Sequence, residues 1–481
     1  MSAVLTDNTV RQEALRIAGD HVYSKHVLEV RFPYTGEVVA TVPKATVEDV
    51  RRAFRIAREY KPKLTRYERY RILMRAGEII AQRRDAIARL ITLESGLCIK
   101  DSTYEVGRAS DVLLFAANQA LVDDGQVFSC DLTHHGKSRK VYTLREPLLG
   151  AISAITPFNH PLNQVIHKVA PAVATNNRMV VKPTEKTPLA AFVLADVLYE
   201  AGLPPQMLSI VTGDPKDIAD EMITNADADL VTFTGGVPIG KYIASKAGYK
   251  RMVLELGGND PLIVMEDADP AKAAALAAAG SYKNSSQRCT AVKRILVHEK
   301  IADDFVAELV KITKAWSYGD PLDPKVEMGT VINEQAAKLF ESRVNDACAR
   351  GAKLLVGNKR QGASYSPTVL DRVTPDMEVV REETFGPVSP VLRFKDADEA
   401  IRMVNGTAYG LSSGVCTHRL DYITKFISEL HVGSVNVWEV PGYRLESTPF
   451  GGIKDSGLGI KEGVVEAMKS FTNVKTYSIP W

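Results

Sequence analysis

The chain has 481 residues, 45% of them hydrophobic and 25% charged, with a formal net charge of +2 at pH 7. That length exceeds what one hydrophobic core organises, so two or three domains of ordinary globular composition are expected. The near-neutral balance gives no case for a nucleic-acid or membrane partner and leaves any cationic site to a few convergent side chains.

Cys98, Cys130, Cys289, Cys348 and Cys416 are scattered, with no CxxC or Cys/His spacing, so no metal site is expected. Their odd number fits a reducing compartment. Met1 to Asp20 carries charges throughout and has no apolar signal-peptide core, and no stretch of membrane-spanning length is free of charge. A cytoplasmic location is expected.

The first twenty or so residues are polar and read as an arm. Leu28 to Val42 alternates like a hairpin, with Pro33-Tyr34-Thr35-Gly36 supplying the turn. Helical periodicity dominates from Val47 to Leu121, interrupted at Lys61-Pro62 and around Glu94-Ser95-Gly96. Asp131 to Arg145 is polar and β-like, an excursion from the main body. Short apolar strands then alternate with helices. The strands are Gly150–Thr156, Arg178–Lys182, Leu208–Val211 and Leu230–Thr234. The helices are Pro161–Ala174, Pro188–Ala201, Lys216–Thr224 and Pro238–Ala247. This alternation predicts a parallel sheet covered by helices, with ligands at the carboxyl ends of its strands. A second α/β series follows Glu255 to about Asn436. Ser470–Ser478 is strand-like and suits pairing with the Asp131–Arg145 excursion or with another subunit.

Several segments carry chemistry. Asn284-Ser285-Ser286-Gln287-Arg288-Cys289 sets a thiol beside a guanidinium, and Leu254-Glu255-Leu256-Gly257-Gly258-Asn259 sets a carboxylate among apolar neighbours. A nucleophilic thiol and a separate base are what making and hydrolysing a thioester requires. Met179-Val180-Val181-Lys182-Pro183-Thr184-Glu185 ends a buried-looking strand in a charged pair suited to ribose hydroxyls and phosphate. Taken alone, it reads better as a strand ending in an ordinary solvated Lys and Glu. Leu230-Val231-Thr232-Phe233-Thr234-Gly235-Gly236 precedes a helix start at Pro238, whose backbone N–H groups favour an anion. It is not the GxGxxG fingerprint, and glycines there also make plain tight turns.

These segments, with Ala154-Ile155-Thr156-Pro157-Phe158-Asn159, Glu382-Glu383-Thr384-Phe385-Gly386-Pro387 and Pro449-Phe450-Gly451-Gly452-Ile453-Lys454-Asp455-Ser456-Gly457, follow one another in the order seen in the aldehyde dehydrogenase superfamily. The chain resembles that family over nearly its whole length. The resemblance implies an α/β aldehyde dehydrogenase fold with a Rossmann-like NAD-binding domain (1–125 and 149–256), an α/β catalytic domain (257–446) and a β oligomerisation arm (126–148 and 467–481). A homodimer or homotetramer is expected.

By the same resemblance, Cys289 matches the nucleophile, Asn159 an oxyanion-hole amide acting with the Cys289 N–H, and Glu255 the base that activates water for deacylation. Burial of Glu255 would raise its pKa. Glu462 matches a second glutamate that assists proton relay. For the cofactor, Lys182 and Glu185 match the adenosine-ribose ligands, and a carboxylate at that position repels a 2′-phosphate, favouring NAD over NADP. Glu383 and Phe385 match the nicotinamide ribose and ring contacts, and Ile155, Gly213, Gly235, Gly236 and Leu256 complete the cofactor set. Two departures stand out: Gly236 replaces a common Ser, and Ser286 replaces a usual Gly.

Arg108, on a helix over Tyr104–Leu114, His160 after Asn159, Arg288, and Arg444 in Pro441-Gly442-Tyr443-Arg444-Leu445-Glu446 would suit a small aldehyde ending in a dianion. Any one of these arginines could instead be an ordinary surface ion pair, as Arg108 with Glu105. Within the family, Lys63 to Arg69, Thr156 to Asn163 and Trp438 to Arg444 most resemble the branch that oxidises phosphonoacetaldehyde to phosphonoacetate. Rival readings are the non-phosphorylating glyceraldehyde-3-phosphate dehydrogenases, the lactaldehyde or semialdehyde dehydrogenases, and a non-catalytic structural relative. Glu185 and His160 argue against the first, and intact Cys289, Glu255 and Asn159 against the last.

Overall fold

The computed structural model describes residues 10–460 and 462–480. The beginning of the expected arm and of the segment read for a signal peptide, and the last residue of the expected 467–481 arm, lie outside the described residues.

Five parallel strands form the sheet that positions the first half of the site. Their order is Arg251–Glu255, Ala228–Thr234, Ala151–Ile155, Met179–Lys182, Leu208–Ile210. The first of these in the chain, Ala151–Ile155, sits in the middle. The order reverses beside it, where Ile155 pairs with Phe233. A crevice opens at the carboxyl ends of such strands. All four residues of Met179–Lys182 are buried, as expected of a strand covered by helices on both faces.

The N-terminal expectation is corrected here. Leu15–Ile17 is a buried strand that extends the sheet antiparallel to Leu208–Ile210, followed by Asp20–Val22. Arg16 makes this stretch look solvated, but its Nε donates to Asp196 at 2.7 Å and its Nη2 to Glu13. A partner so distant in the chain leaves no local signal.

The hairpin forms as expected, Val27–Arg31 against Val38–Pro43. The helical region resolves into Val47–Glu59, Arg66–Gln82, Arg84–Ser95 and Ile99–Ala120. The first two start at capping boxes, Thr46 with Asp49 and Thr65 with Glu68. Ile99–Ala120 is twice the length expected around Arg108, and it buries Ser102, Glu105, Val106, Ala109 and Val112 along one face.

A second sheet has the order Lys353–Val356, Thr368–Asp371, Val388–Phe394, Arg294–His298, Pro261–Val264, Ser412–Cys416, Ser434–Val437, parallel except for its first strand. In a third, Thr472–Pro480 pairs antiparallel with Arg139–Pro147, which also pairs with Val127–Ser129. The C-terminal strand therefore meets the excursion within the same chain. Among the described residues, no helix is long and apolar enough to cross a membrane.

Candidate active site

A cavity of about 710 Å³ lies at the crevice between Ala151–Ile155 and Ala228–Thr234. Ile155, Lys182, Glu185, Gly235, Gly236, Leu256, Glu383 and Phe385 all line it, with Asn159 and Cys289. Gly213 does not. A Cβ there would lie 2.8 Å from Ile218 Cδ1, so Gly213 seats the helix Pro215–Thr224, whose Pro215 and Lys216 face the cavity instead.

The residues present fit a dinucleotide. Gly236 starts the helix Val237–Lys246 with no side-chain cap, leaving first-turn N–H groups for an anion. Lys182 is buried, its Nζ 3.9 Å from Glu185 Oε2, and burial pulls its ammonium below the ordinary value, with Glu185 and Asp214 opposing. Phe158 packs edge-on against Phe385, giving the cavity a flat apolar wall.

Cys289 is delivered by an unusual turn. Asn284, Ser285 and Ser286 are three successive non-glycine residues in left-handed conformation, with φ of 60°, 51° and 60°. Neighbours fix this strained run. The Asn284 N–H donates to Asp101 Oδ2 at 2.7 Å, and its side-chain amide donates to the Asn159 carbonyl at 3.1 Å. Gln287 Oε1 accepts from the Ile332 N–H. The loops carrying Asn159 and Cys289 are thus tied directly together.

Lys293, which the sequence reading passed over, holds the other side. It is buried, and its Nζ reaches the carbonyls of Gly258, Arg288 and Cys289 and the Glu383 carboxylate, all at 2.7–2.8 Å. Its only sequence signal is a lysine four residues after the cysteine, between Ala291-Val292 and Arg294. Burial pushes the Cys289 thiol up to about 11, while Lys293 and Arg444 pull it down.

Glu255 ends its strand and is buried. Gly451 approaches it so closely that a Cβ there would lie 2.5 Å from Oε1, and its φ of 156° suits glycine. Leu256 and Gly257 then line the cavity, and Gly258 abuts the Cys289 carbonyl. Glu462 is buried and accepts from Lys168 Nζ at 2.6 Å.

Arg108, Arg288 and Arg444 form one cationic cluster, which reaches the thiol through Arg288 and Arg444. Arg288 and Arg444 both act electrostatically on Cys289, and each is repelled by Arg108. Arg288 Nη2 donates to the Gly280 carbonyl at 2.7 Å, but its buried Nε has no acceptor. Arg444 stacks over the Phe450 ring at 3.9 Å. The expected alternative pairing of Arg108 with Glu105 is not what forms. Arg108 Nε donates to Glu446, and Glu105 instead accepts the N–H groups of Leu162 and Asn163. His160 lies beside it, Nδ1 3.7 Å from Glu105 Oε2. Asp101, Glu105 and Arg108 fall at i, i+4 and i+7 of one helix, a spacing that was visible in the sequence and marks one face.

Residues 21–477 match the sequence profile of the aldehyde dehydrogenase family. The chain is 38% identical over 464 residues to a 3-sulfolactaldehyde dehydrogenase of Priestia aryabhattai, covering 96% of this chain and 97% of that one. Aldehyde dehydrogenase 21 from Physcomitrella patens, solved with its reaction product succinate, aligns with a TM-score of 0.95 at 34% identity, over 98% of this chain and 99% of that one. The glyceraldehyde-3-phosphate dehydrogenase GapN from Methanocaldococcus jannaschii, complexed with NADP, aligns at 0.91 and 35% identity, over 95% and 100%. With the thiol, the carboxylate and the dinucleotide-sized cavity in place, the chain belongs to the aldehyde dehydrogenase family.

Proposed function

We propose that this enzyme oxidises a small aldehyde bearing a distal anion, phosphonoacetaldehyde to phosphonoacetate in the reading we favour, with NAD as cofactor. The observation that carries this reading is the cluster of Arg108, Arg288 and Arg444, which reaches Cys289 through Arg288 and Arg444, with a buried Arg288 Nε that has no acceptor among the described residues. A guanidinium donor left unpaired in a protein interior is unfavourable unless a ligand completes it. The names of the relatives support the class: a sulfonate, a dicarboxylate product and a phosphate each set an anion away from the reacting carbon.

In this reading the Cys289 thiolate attacks the carbonyl carbon, and the oxyanion is received by the Asn159 amide and the Cys289 N–H. Removing one such donor typically costs about 3 kcal/mol of barrier. When bound, the nicotinamide supplies the hydride acceptor that turns the tetrahedral carbon into a thioester. Glu255 then takes a proton from water as water attacks the thioester, and the acid and free thiol separate. Glu462, held by Lys168, offers a second station for that proton.

Lys182 and Glu185 would hold the adenosine ribose, and the Glu185 carboxylate would repel a 2′-phosphate, which favours NAD. The uncapped helix start at Gly236, with Gly235, would hold the pyrophosphate. Glu383 and Phe385 would hold the nicotinamide riboside, with Ile155 and Leu256 as apolar walls and Gly213 shaping the loop behind. We assign 1–125 and 149–256 to cofactor binding, 257–446 to catalysis, and 126–148 with 467–481 to an oligomerisation arm. Exposed Val127, Phe128, Val474, Tyr477 and Ile479 on that arm suit a homodimer or homotetramer.

The test compares kcat/KM for phosphonoacetaldehyde, sulfoacetaldehyde, glyceraldehyde 3-phosphate and acetaldehyde in the wild type and Arg288→Ala. The variant should lose roughly 30-fold to 1000-fold on its anionic substrates and only a few-fold on acetaldehyde. Equal losses on all four would end the anion reading, and the wild-type ranking identifies the anion.

A further inference from the structure

Glu105 lies buried on the helix Ile99–Ala120 between Asp101, which holds the thiol loop, and Arg108. Its Oε1 accepts from the Leu162 and Asn163 N–H groups at 2.8 and 2.9 Å. Those are first-turn groups of the helix Asn163–Ala174, which has no side-chain cap of its own. The carboxylate thereby anchors the segment that carries Asn159 and His160. Its Oε2 is buried with no hydrogen bond, as is His160 Nδ1, 3.7 Å away. An acceptor and a potential donor, both unpaired, face each other within an ångström of bonding distance.

Resting on the anionic-aldehyde reading above, we propose that Glu105 is a positioning residue that holds His160 as an imidazolium donor to the distal anion of the substrate. A proton taken up from solvent gives both ring nitrogens an N–H. Nδ1–H donates to Glu105 Oε2, completing both orphaned atoms, and Nε2–H is left for the ligand. A carboxylate behind the ring and an anion before it both favour the charged form. Glu105 lies nearest to His160, and Asp101, one turn earlier on the helix, also acts on the ring, with burial raising its own carboxyl. Both carboxylates favour the charged ring, and the arginines beside them, Arg108 next to Glu105 and Arg288 next to Asp101, oppose it. Binding of an anionic aldehyde therefore takes up a proton, whereas binding of a neutral one does not.

The sign follows from linkage. A histidine whose pKa is raised in the complex strengthens binding fully below its pKa in the free enzyme, and the gain disappears as pH rises through its pKa in the complex. Sulfoacetaldehyde is the probe, because a sulfonate keeps one charge throughout the neutral range. Propanal is the neutral reference.

In the wild type, the ratio of kcat/KM for sulfoacetaldehyde to that for propanal should fall about tenfold between about pH 6 and about pH 9. Glu105→Gln can still accept the two N–H groups but carries no charge. It should move that fall at least about one pH unit lower in the ratio, where any loss common to both aldehydes cancels. His160→Asn should give a low, flat ratio. A Glu105→Gln ratio that breaks at the wild-type pH, or equal losses on both aldehydes, would reduce Glu105 to a helix anchor and overturn the proposal. A wild-type preference for sulfoacetaldehyde that is independent of pH sinks the His160 device alone. No preference at any pH sinks the anionic-aldehyde reading itself.

Discussion

Arg108 and Glu446 lie 338 positions apart, yet Nε of one donates to Oε1 of the other, while Glu446 Oε2 sits 2.6 Å from Nε2 of buried His167. Burial opposes the Glu446 charge, but bonds from His167 and Arg108 and the field of Arg444 hold its carboxyl well below the usual carboxylate range. Burial keeps His167 below its ordinary value, against the pull of Glu446. One carboxylate thus aims Arg108 by its Nε, and among the described residues neither Nη of Arg108 is hydrogen-bonded.

Glu446→Gln should therefore lower the thermal midpoint by several degrees, on the order of 3 kcal/mol, because it strands the mostly buried Arg108 guanidinium without its counter-charge. Above the ordinary carboxylate pKa the wild-type pair contributes in full. The contribution is lost only as pH falls through the depressed folded value, so the wild type and the variant should differ across the whole neutral range. An anionic product such as phosphonoacetate should raise the variant's midpoint more than the wild type's, since it replaces the missing charge. Equal shifts would show that Glu446 does not balance the cations that meet substrate.

Ser286 has φ of 60° and a buried hydroxyl with no partner. Its left-handed backbone and orphaned hydroxyl both weigh against the fold, by roughly 1–2 kcal/mol each, while the added freedom of an unfolded glycine offsets roughly 0.5–1 kcal/mol. Ser286→Gly should accordingly raise stability by about 1–3 kcal/mol, read as a higher thermal or denaturant midpoint. A lower midpoint would mean that the serine hydroxyl holds the turn. The same variant should alter turnover if strain in this run aims Cys289.

What the sequence made legible followed from local pattern. Apolar runs set the expected strand ends at Thr156, Lys182 and Thr234, within a residue of the observed Ile155, Lys182 and Thr234, and the crevice between them follows from parallel topology. Cys289, Asn159 and Glu255 stood in motifs whose order survives folding. The partners of those residues were not legible, because each is made by distant segments meeting. Glu446 was quoted within the same loop as Arg444 without a role, since nothing local joins it to Arg108 or His167. Glu105 offered only a local ion pair with Arg108, and Asp101 gave no signal, because both accept backbone N–H groups from other loops. The buried strand Leu15–Ile17 was hidden for the same reason, its charge being matched by Asp196.

Lys293 supplies the last prediction. With the thiol raised to about 11 by burial, little of Cys289 is ionised at pH 7. Alkylation by iodoacetamide, followed on the tryptic peptide that contains Cys289, should therefore rise about tenfold per pH unit from about pH 7 to about pH 10. Lys293 is the largest influence opposing burial, and it also pins the Cys289 carbonyl. Lys293→Met should push the thiol higher still and slow alkylation about threefold to tenfold at each pH. Retained cofactor binding in that variant would show that the cavity survives. Because iodoacetamide is uncharged, a slower rate reports the thiol and not attraction of the reagent. Unchanged alkylation across the whole range would leave the ammonium as a structural tie between Glu383 and the thiol loop, with no hold on the sulfur itself.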